Sequence, residues 1–251
     1  MTIKIIQITD LHLNKDKEFI SHGVNTFRSA KKIISEISMK EKNVDCMVLT
    51  GDLADDGTSK AYENLSELLV EFSFPIYLMC GNHDSAENLK NICITKKFCY
   101  KNFISIGEWG FYMFNTKKDN SPNGILSESE LMDFDQSISN IKYMMIFLHH
   151  HPILIGSESM DRMMVENSDE LITRIKNQSK IRGVSWGHIH NEVNFKINNA
   201  QLFSTPSTCY QARPKSKKFV IDYDANPGYR VINLGKSGVL ETSVKRLNIN
   251  K

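Results

Sequence analysis

Seven of the eight histidines in this chain (His12, His83, His149, His150, His151, His188 and His190) fall in four short segments. Imidazole is the commonest nitrogen ligand for transition metals, so the clustering points first to metal chemistry. Asp10-Leu11-His12 offers a carboxylate and an imidazole at alternate positions, which on an extended backbone face one side and suit one ion. Gly51-Asp52 adds a carboxylate whose two oxygens can bridge two cations. In Gly81-Asn82-His83-Asp84, Asn82 is a neutral carbonyl ligand, while His83 can pass a proton with Asp84 orienting it. His149-His150-His151-Pro152 and Gly187-His188-Ile189-His190 complete the set. Each motif alone has a plainer reading: a strand-end histidine that only hydrogen-bonds, a helix cap at Asp52 or Asp84, a turn residue at Asn82. The five in this order along one chain do not arise together by chance.

Such residues act together only if the fold brings them to one place. Strand ends in an α/β sheet converge on one edge, and each motif follows a predicted strand. The strands are the apolar runs Ile3–Thr9, Val44–Thr50, Pro75–Cys80, Tyr143–Leu148 and Ile181–Trp186. Apolar positions three or four apart predict helices over Val24–Met39, Ser59–Phe72, Ser127–Ile141 and Ser168–Lys176. Ser127 and Glu130 have the spacing of a capping box. Shorter strands are predicted at Phe103–Ile106 and Gly110–Phe114. Beyond Ile189, turn residues (Asn198-Asn199, Asn226-Pro227-Gly228, Lys236-Ser237-Gly238) separate β-like runs that read as antiparallel hairpins. No repeat, linker or low-complexity tract interrupts the pattern, so residues 1–251 read as one domain.

At 251 residues, 41% apolar and 24% charged, the chain can bury a core without covalent staples. A net charge of +2 argues against nucleic acid or a membrane surface as partner. The Lys215-Ser216-Lys217-Lys218 cluster reads as a solvated loop. The N-terminus lacks a signal-peptide pattern, and no run approaches the roughly 20 apolar residues that span a bilayer. Five cysteines without a C-x-x-C pair fit a reducing, cytoplasmic setting as buried or idle thiols.

As an ordered set, the motifs resemble the calcineurin-like metallophosphoesterase superfamily over nearly the whole chain. Segments outside the ligands are similar to the bacterial class III 3′,5′-cyclic-nucleotide phosphodiesterases: Gly23–Thr26, Gly51–Asp55, Phe147–Pro152, Thr205–Gln211 and Pro227–Arg230. The resemblance implies a four-layer αββα sandwich and two divalent or transition metal ions, iron or manganese ahead of zinc or cobalt. It implies that Asp10, His12, Asp52 and His190 hold one ion and that Asp52, Asn82, His149 and His188 hold the other. Asp52 would bridge them, with His150 behind the ligands. It implies further that His12, Asp52, Asn82, His83, His149 and His190 line the substrate. A bridging hydroxide would attack phosphorus, and His83 would be catalytic without binding metal.

The implied substrate is a small-molecule cyclic nucleotide, 3′,5′-cyclic AMP, with 5′-AMP as product. A broader phosphodiesterase acting on glycerophosphodiesters or 2′,3′-cyclic nucleotides would use the same metals. An adaptor that kept the fold and lost the chemistry would hold none. Tyr210 has two readings, an adenine-stacking ring or a buried core tyrosine. Asn115-Thr116 and Cys80 depart from the family's common Asp-Ser and Pro, at positions that are not ligands.

Overall fold

The apolar runs become strands and most of the periodic stretches become helices. A computed structural model describes residues 2–93 and 97–248; the rest of the expected 1–251 unit lies outside the described residues. The first half contains β1 (Ile3–Ile8), β2 (Ile20–Ser21), β3 (Val24–Asn25), α1 (Thr26–Lys40), β4 (Cys46–Thr50), α2 (Ser59–Leu68), β5 (Ile76–Met79), α3 (Ala86–Ile92) and β6 (Phe98–Cys99). Next come β7 (Phe103–Ile106), β8 (Trp109–Met113), α4 (Glu128–Ser139), β9 (Tyr143–Phe147), α5 (Glu158–Asp161), α6 (Ser168–Asn177) and β10 (Ile181–Trp186). The chain closes with β11 (Asn194–Ile197), β12 (Ala200–Ser204), β13 (Gly228–Leu234) and β14 (Leu240–Arg246).

Two six-stranded sheets result, ordered β14-β13-β1-β4-β5-β6 and β11-β12-β10-β9-β8-β7. Helical crossovers make β1, β4 and β5 parallel, and likewise β8, β9 and β10. Alternation along the strands then dictates the layers. Ile6 and Ile8 pack with Ile33 and Ile37 of α1 and Tyr62 and Leu65 of α2. Ile3 and Ile5 point the other way and meet Phe111, Met145 and Phe147 of the second sheet. Beyond that sheet, Ile146 and Val184 pack with Phe134 of α4 and with Leu171 and Ile175 of α6. This is the expected four-layer αββα sandwich. Fully buried side chains such as Ile5 and Phe147 each stabilise it by about 1.5–3 kcal/mol.

Some boundaries differ from expectation. Val24 and Asn25 leave the predicted helix to pair with Ser21 and Ile20, and the Asn25 side chain caps α1 by accepting the Arg28 N–H at 2.8 Å. Helix α2 stops at Leu68, although Leu69 and Phe72 remain in the core. Ser127 caps α4 through its hydroxyl, but the Glu130 carboxylate accepts the Asn115 N–H instead of closing the box on the Ser127 backbone. Helix α3 went unpredicted because it buries only Leu89 and so shows no apolar period. The C-terminal hairpins form, but they separate. β11–β12 extends the second sheet, whereas β13 crosses over to lie antiparallel on β1. That crossing carries Thr205–Gln211 past the end of β1, where the Thr208 N–H donates to the Thr9 carbonyl at 3.2 Å.

Candidate metal centre

The centre forms where β1, β4, β5, β9 and β10 stop. Beyond β1 and β4 the chain runs as two adjacent loops. The N–H groups of Asp10, His12 and Leu13 donate to the carbonyls of Gly51, Asp52 and Leu53 at 2.9–3.0 Å. Asp10, His12, Asp52, His188 and His190 all have φ between 47° and 65°. Left-handed backbone is uncommon for residues with a Cβ and persists where surrounding contacts enforce it. It is this turn, and not strand alternation, that brings Asp10 and His12 to one side, because β1 ends at Ile8. Two glycines allow the loops to close on the carboxylates. A Cβ on Gly81 would sit 2.1 Å from Asp52 Oδ1, and one on Gly187 would sit 2.7 Å from Asp10 Oδ2.

All seven expected ligands converge here. His190 Nε2 lies 3.2 Å from His12 Nε2 and 3.4 Å from Asp10 Oδ1. His149 Nε2 lies 3.2 Å from Asn82 Oδ1 and 3.4 Å from Asp52 Oδ2. That Asp52 oxygen is also 3.7 Å from His12 Nε2, so it faces both groups. Donor atoms sharing one ion at about 2.0–2.2 Å stand roughly 3–3.5 Å apart, close to the spacings seen here. His188 packs edge-on against His149 with ring centres 5.0 Å apart, and its buried Nε2 has no hydrogen-bond partner. Such an orphaned nitrogen is costly unless something binds it. The residues therefore fit two cations, one on either side of Asp52.

Surrounding bonds decide which ring nitrogen faces inward. Nδ1 of His149 donates to the Thr50 carbonyl at 2.8 Å, that of His190 to the Tyr210 carbonyl at 3.0 Å, and that of His12 to Asp55 Oδ1 at 3.2 Å. Each bond turns Nε2 toward the centre, where it can give its lone pair to an ion once any proton on it is displaced. The carboxylates are held as firmly. Asp52 Oδ1 accepts the His83 N–H at 2.9 Å, and Asp10 accepts the His188 N–H at 3.0 Å and the Thr9 hydroxyl at 2.8 Å.

Burial alone would raise both carboxyl pKa values. Facing imidazoles override it, His190 then His149 at Asp10 and His149 then His12 at Asp52, so both stay ionised below the usual range. Burial likewise opposes charge on His149, but Asp52 and then Asp10 push its pKa up to about 9. Burial and the neighbouring imidazoles hold His188 and His150 well below the ordinary histidine value. A buried anionic pocket that keeps a proton on an imidazole is one that a cation enters by displacing that proton.

Other residues of the motifs surround these candidate ligands. His83 is exposed at the rim, its ring edge-on to His12 at 4.9 Å. Asp84 does not orient it. That carboxylate is buried and accepts the N–H groups of Gly81, Leu53 and Ala54 and the Tyr62 hydroxyl, tying the β4 and β5 loops together. His83 Nδ1 donates instead to the Asp55 carbonyl at 3.2 Å. Asp55 thus holds His12 with its side chain and His83 with its backbone. The motif reading passed over this role, although Asp55 lies three residues after Asp52. His150 stands beside the candidate donors: a ring nitrogen lies within 4.8 Å of nitrogens of His149 and His188, while Nδ1 and the Thr116 hydroxyl are 2.8 Å apart. Tyr210 is 8% exposed and stacks on His190 at 4.5 Å, which favours the buried reading over an open stacking face.

Comparisons with known proteins agree with this geometry. The family model described as Calcineurin-like phosphoesterase matches residues 3–192. The chain is 32% identical over 248 residues to the 3′,5′-cyclic adenosine monophosphate phosphodiesterase CpdA of Escherichia coli (strain K12), spanning 98% of this chain and 90% of that protein. It is 31% identical over 249 residues to a 3′,5′-cyclic-nucleotide phosphodiesterase of Nostoc sp., spanning 98% and 93%. A solved dimetal phosphatase from Danio rerio shares the fold, with a TM-score of 0.68 and 13% identity over 98% of this chain and 99% of that one. Among the described residues no helix is long and apolar enough to cross a membrane. With a donor set arranged for a dinuclear metal centre and a family match that spans it, the chain belongs to the calcineurin-like phosphoesterase family.

Proposed function

We propose that the protein hydrolyses 3′,5′-cyclic AMP to 5′-AMP at this centre. One observation carries the choice of substrate. The family model ends at residue 192, whereas the likeness to proteins named cyclic AMP phosphodiesterases spans 98% of the chain. It therefore runs on through Thr205–Gln211, where the Ser207 hydroxyl donates to the Asp10 carbonyl at 2.8 Å and the Tyr210 carbonyl holds His190.

In this reading Asp10, His12, Asp52 and His190 hold one ion, and Asp52, Asn82, His149 and His188 hold the other. The nitrogen-rich set suits iron, manganese, zinc or cobalt better than calcium or magnesium, and the family resemblance favours iron or manganese among these. Once bound, such ions bring the pKa of a water near neutrality and draw charge from phosphoryl oxygens. Only Asp10 and Asp52 among the seven donors carry negative charge, so the loaded site stays net positive and receptive to a phosphodiester anion. His12, Asp52, Asn82, His83, His149 and His190 line the substrate. Held through Nδ1, His83 presents Nε2 at the rim, and its doubly protonated form would give the Nε2 proton to the leaving 3′-oxygen and keep the one on Nδ1. The Lys117 ammonium donates to the Asn82 carbonyl at 2.8 Å and steadies that loop. All five cysteines are free thiols, which suits the reducing cytoplasm.

Metal-defined protein assayed on 3′,5′-cyclic AMP, 2′,3′-cyclic AMP and bis(p-nitrophenyl) phosphate tests the proposal. The highest kcat/KM is expected on the first. A preference for either of the others replaces it with a broad phosphodiesterase, and failure to bind stoichiometric metal would mark an adaptor.

A further inference from the structure

Beside the centre lie aromatic rings that hold no ligand in place. His22 occupies the turn between β2 and β3 at φ 48°, followed by Gly23 at φ 81°. Two successive left-handed residues make the tight turn that such a short ladder needs. The His22 ring is exposed and stands edge-on to Tyr210 with centres 4.5 Å apart. Tyr210 in turn stacks on His190 at 4.5 Å and lies 5.5 Å from His12. From a separate loop, Phe219 comes within 5.8 Å of His22 and 6.5 Å of Tyr210, and remains 38% exposed. The same loop, closed by the Ala212–Ile221 bridge, exposes Lys215, Lys217 and Lys218.

We propose that His22 and Phe219 form the subsite for the nucleobase of the substrate, with Tyr210 as the floor joining it to the ligands of the first ion. The proposal rests on the cyclic-nucleotide reading above. Position supports it: one tyrosine ring separates these side chains from His190, so a base there lies a ribose away from a phosphoryl group at the centre. Chemistry supports it as well. Exposed aromatic faces beside unburied lysines suit a planar base attached to an anion, whereas rings serving only the core would be covered. Every base has a stacking face, so this subsite favours nucleotides over other phosphodiesters without selecting one base.

Calorimetry on the metal-loaded protein tests this with 5′-AMP and ribose 5-phosphate, which need no turnover. The wild type should bind 5′-AMP about tenfold more tightly, in the range of one stacked base. His22→Asn keeps a residue at ease in left-handed backbone and removes the ring. It and Phe219→Ala should each cut the preference for 5′-AMP about threefold or more. Damage to the centre would weaken both ligands and leave their ratio alone. Equal binding of the two by the wild type, or an unchanged ratio in both variants, overturns the subsite. Absence of cyclic AMP hydrolysis with the ratio intact would instead overturn the substrate reading.

Discussion

Asp55 touches the centre twice, and substitution can separate the two contacts. Its carboxylate accepts from His12 Nδ1 at 3.2 Å, and its carbonyl accepts from His83 Nδ1 at the same distance. Asp55→Ala deletes the first bond and keeps the second. The His12 bond, ahead of the opposing effect of burial, already holds the Asp55 carboxyl below its usual pKa. A hydrogen bond to a charged group contributes about 1.5–3 kcal/mol, and a side chain 25% exposed belongs at the lower end. About 1.5 kcal/mol corresponds to a tenfold loss of metal affinity. That lies within the roughly 10- to 100-fold effect of removing a partner from a ligating imidazole. The loss should fall on the ion held by Asp10, His12 and His190. Asp55→Asn, which keeps an acceptor, should lose less. Chelator competition measures the affinity of each ion, and turnover followed against added metal measures recovery. Because His83 stays anchored, most activity should return at high metal. Unchanged affinity for both ions would refute the role of this carboxylate. Turnover that stays low at saturating metal would show that Asp55 acts on His83 or on the substrate.

Three further outcomes follow from the same geometry. His83→Ala should lower kcat by about 100-fold or more while both ions remain, and metal analysis showing an ion lost would make His83 a ligand. Gly81→Ala should eject the Asp52 carboxylate, whose Oδ1 would lie 2.1 Å from the new Cβ; a fully loaded, active variant would contradict that contact. Metal-free protein should lose stability on acidification. Burial, against the pull of Asp161, holds His151 at about 4 in the fold, compared with 6.5 for a free imidazole. The unfolded chain therefore takes up a proton that the fold refuses. The stabilisation is present above pH 6.5 and falls as pH drops toward 4, by about 1.5 kcal/mol between pH 6.5 and 5. Urea midpoints across that range should fall less steeply for His151→Gln, and an identical slope would remove His151 as a source.

The candidate ligands were legible because each follows an apolar strand, and strand ends of an α/β sheet meet at one edge. Ile3–Ile8, Cys46–Thr50 and Ile181–Trp186 announce themselves through local hydrophobic pattern, which needs no knowledge of partners. The backbone at those ends was not legible. Asp10, His12, Asp52, His188 and His190 turn left-handed because hydrogen bonds between loops and close approaches at Gly81 and Gly187 hold them so. Adjacency also misled. Asp84 follows His83, yet apart from the Gly81 N–H its bonds come from Leu53 and Ala54 of the β4 loop and Tyr62 of α2, which a reading of four consecutive residues cannot reveal.

A physical line separates the two kinds of residue. Ligands must surround an ion at fixed distances with a few donor types, so their identities are restricted and recur as motifs. Groups that choose among phosphoesters need only fit what is attached to the phosphorus, and many side chains can do that. His22, Tyr210 and Phe219 accordingly come from a hairpin turn, a segment after β12 and a loop, with no spacing to link them. The ions grip the phosphoryl oxygens that all phosphodiesters share, so recognition of a nucleobase has to come from contacts beyond the ions. Contacts made equally by bound substrate and transition state change KM and leave kcat alone. Removing the His22 and Phe219 rings should therefore leave an enzyme that still cuts phosphodiesters and no longer prefers nucleotides.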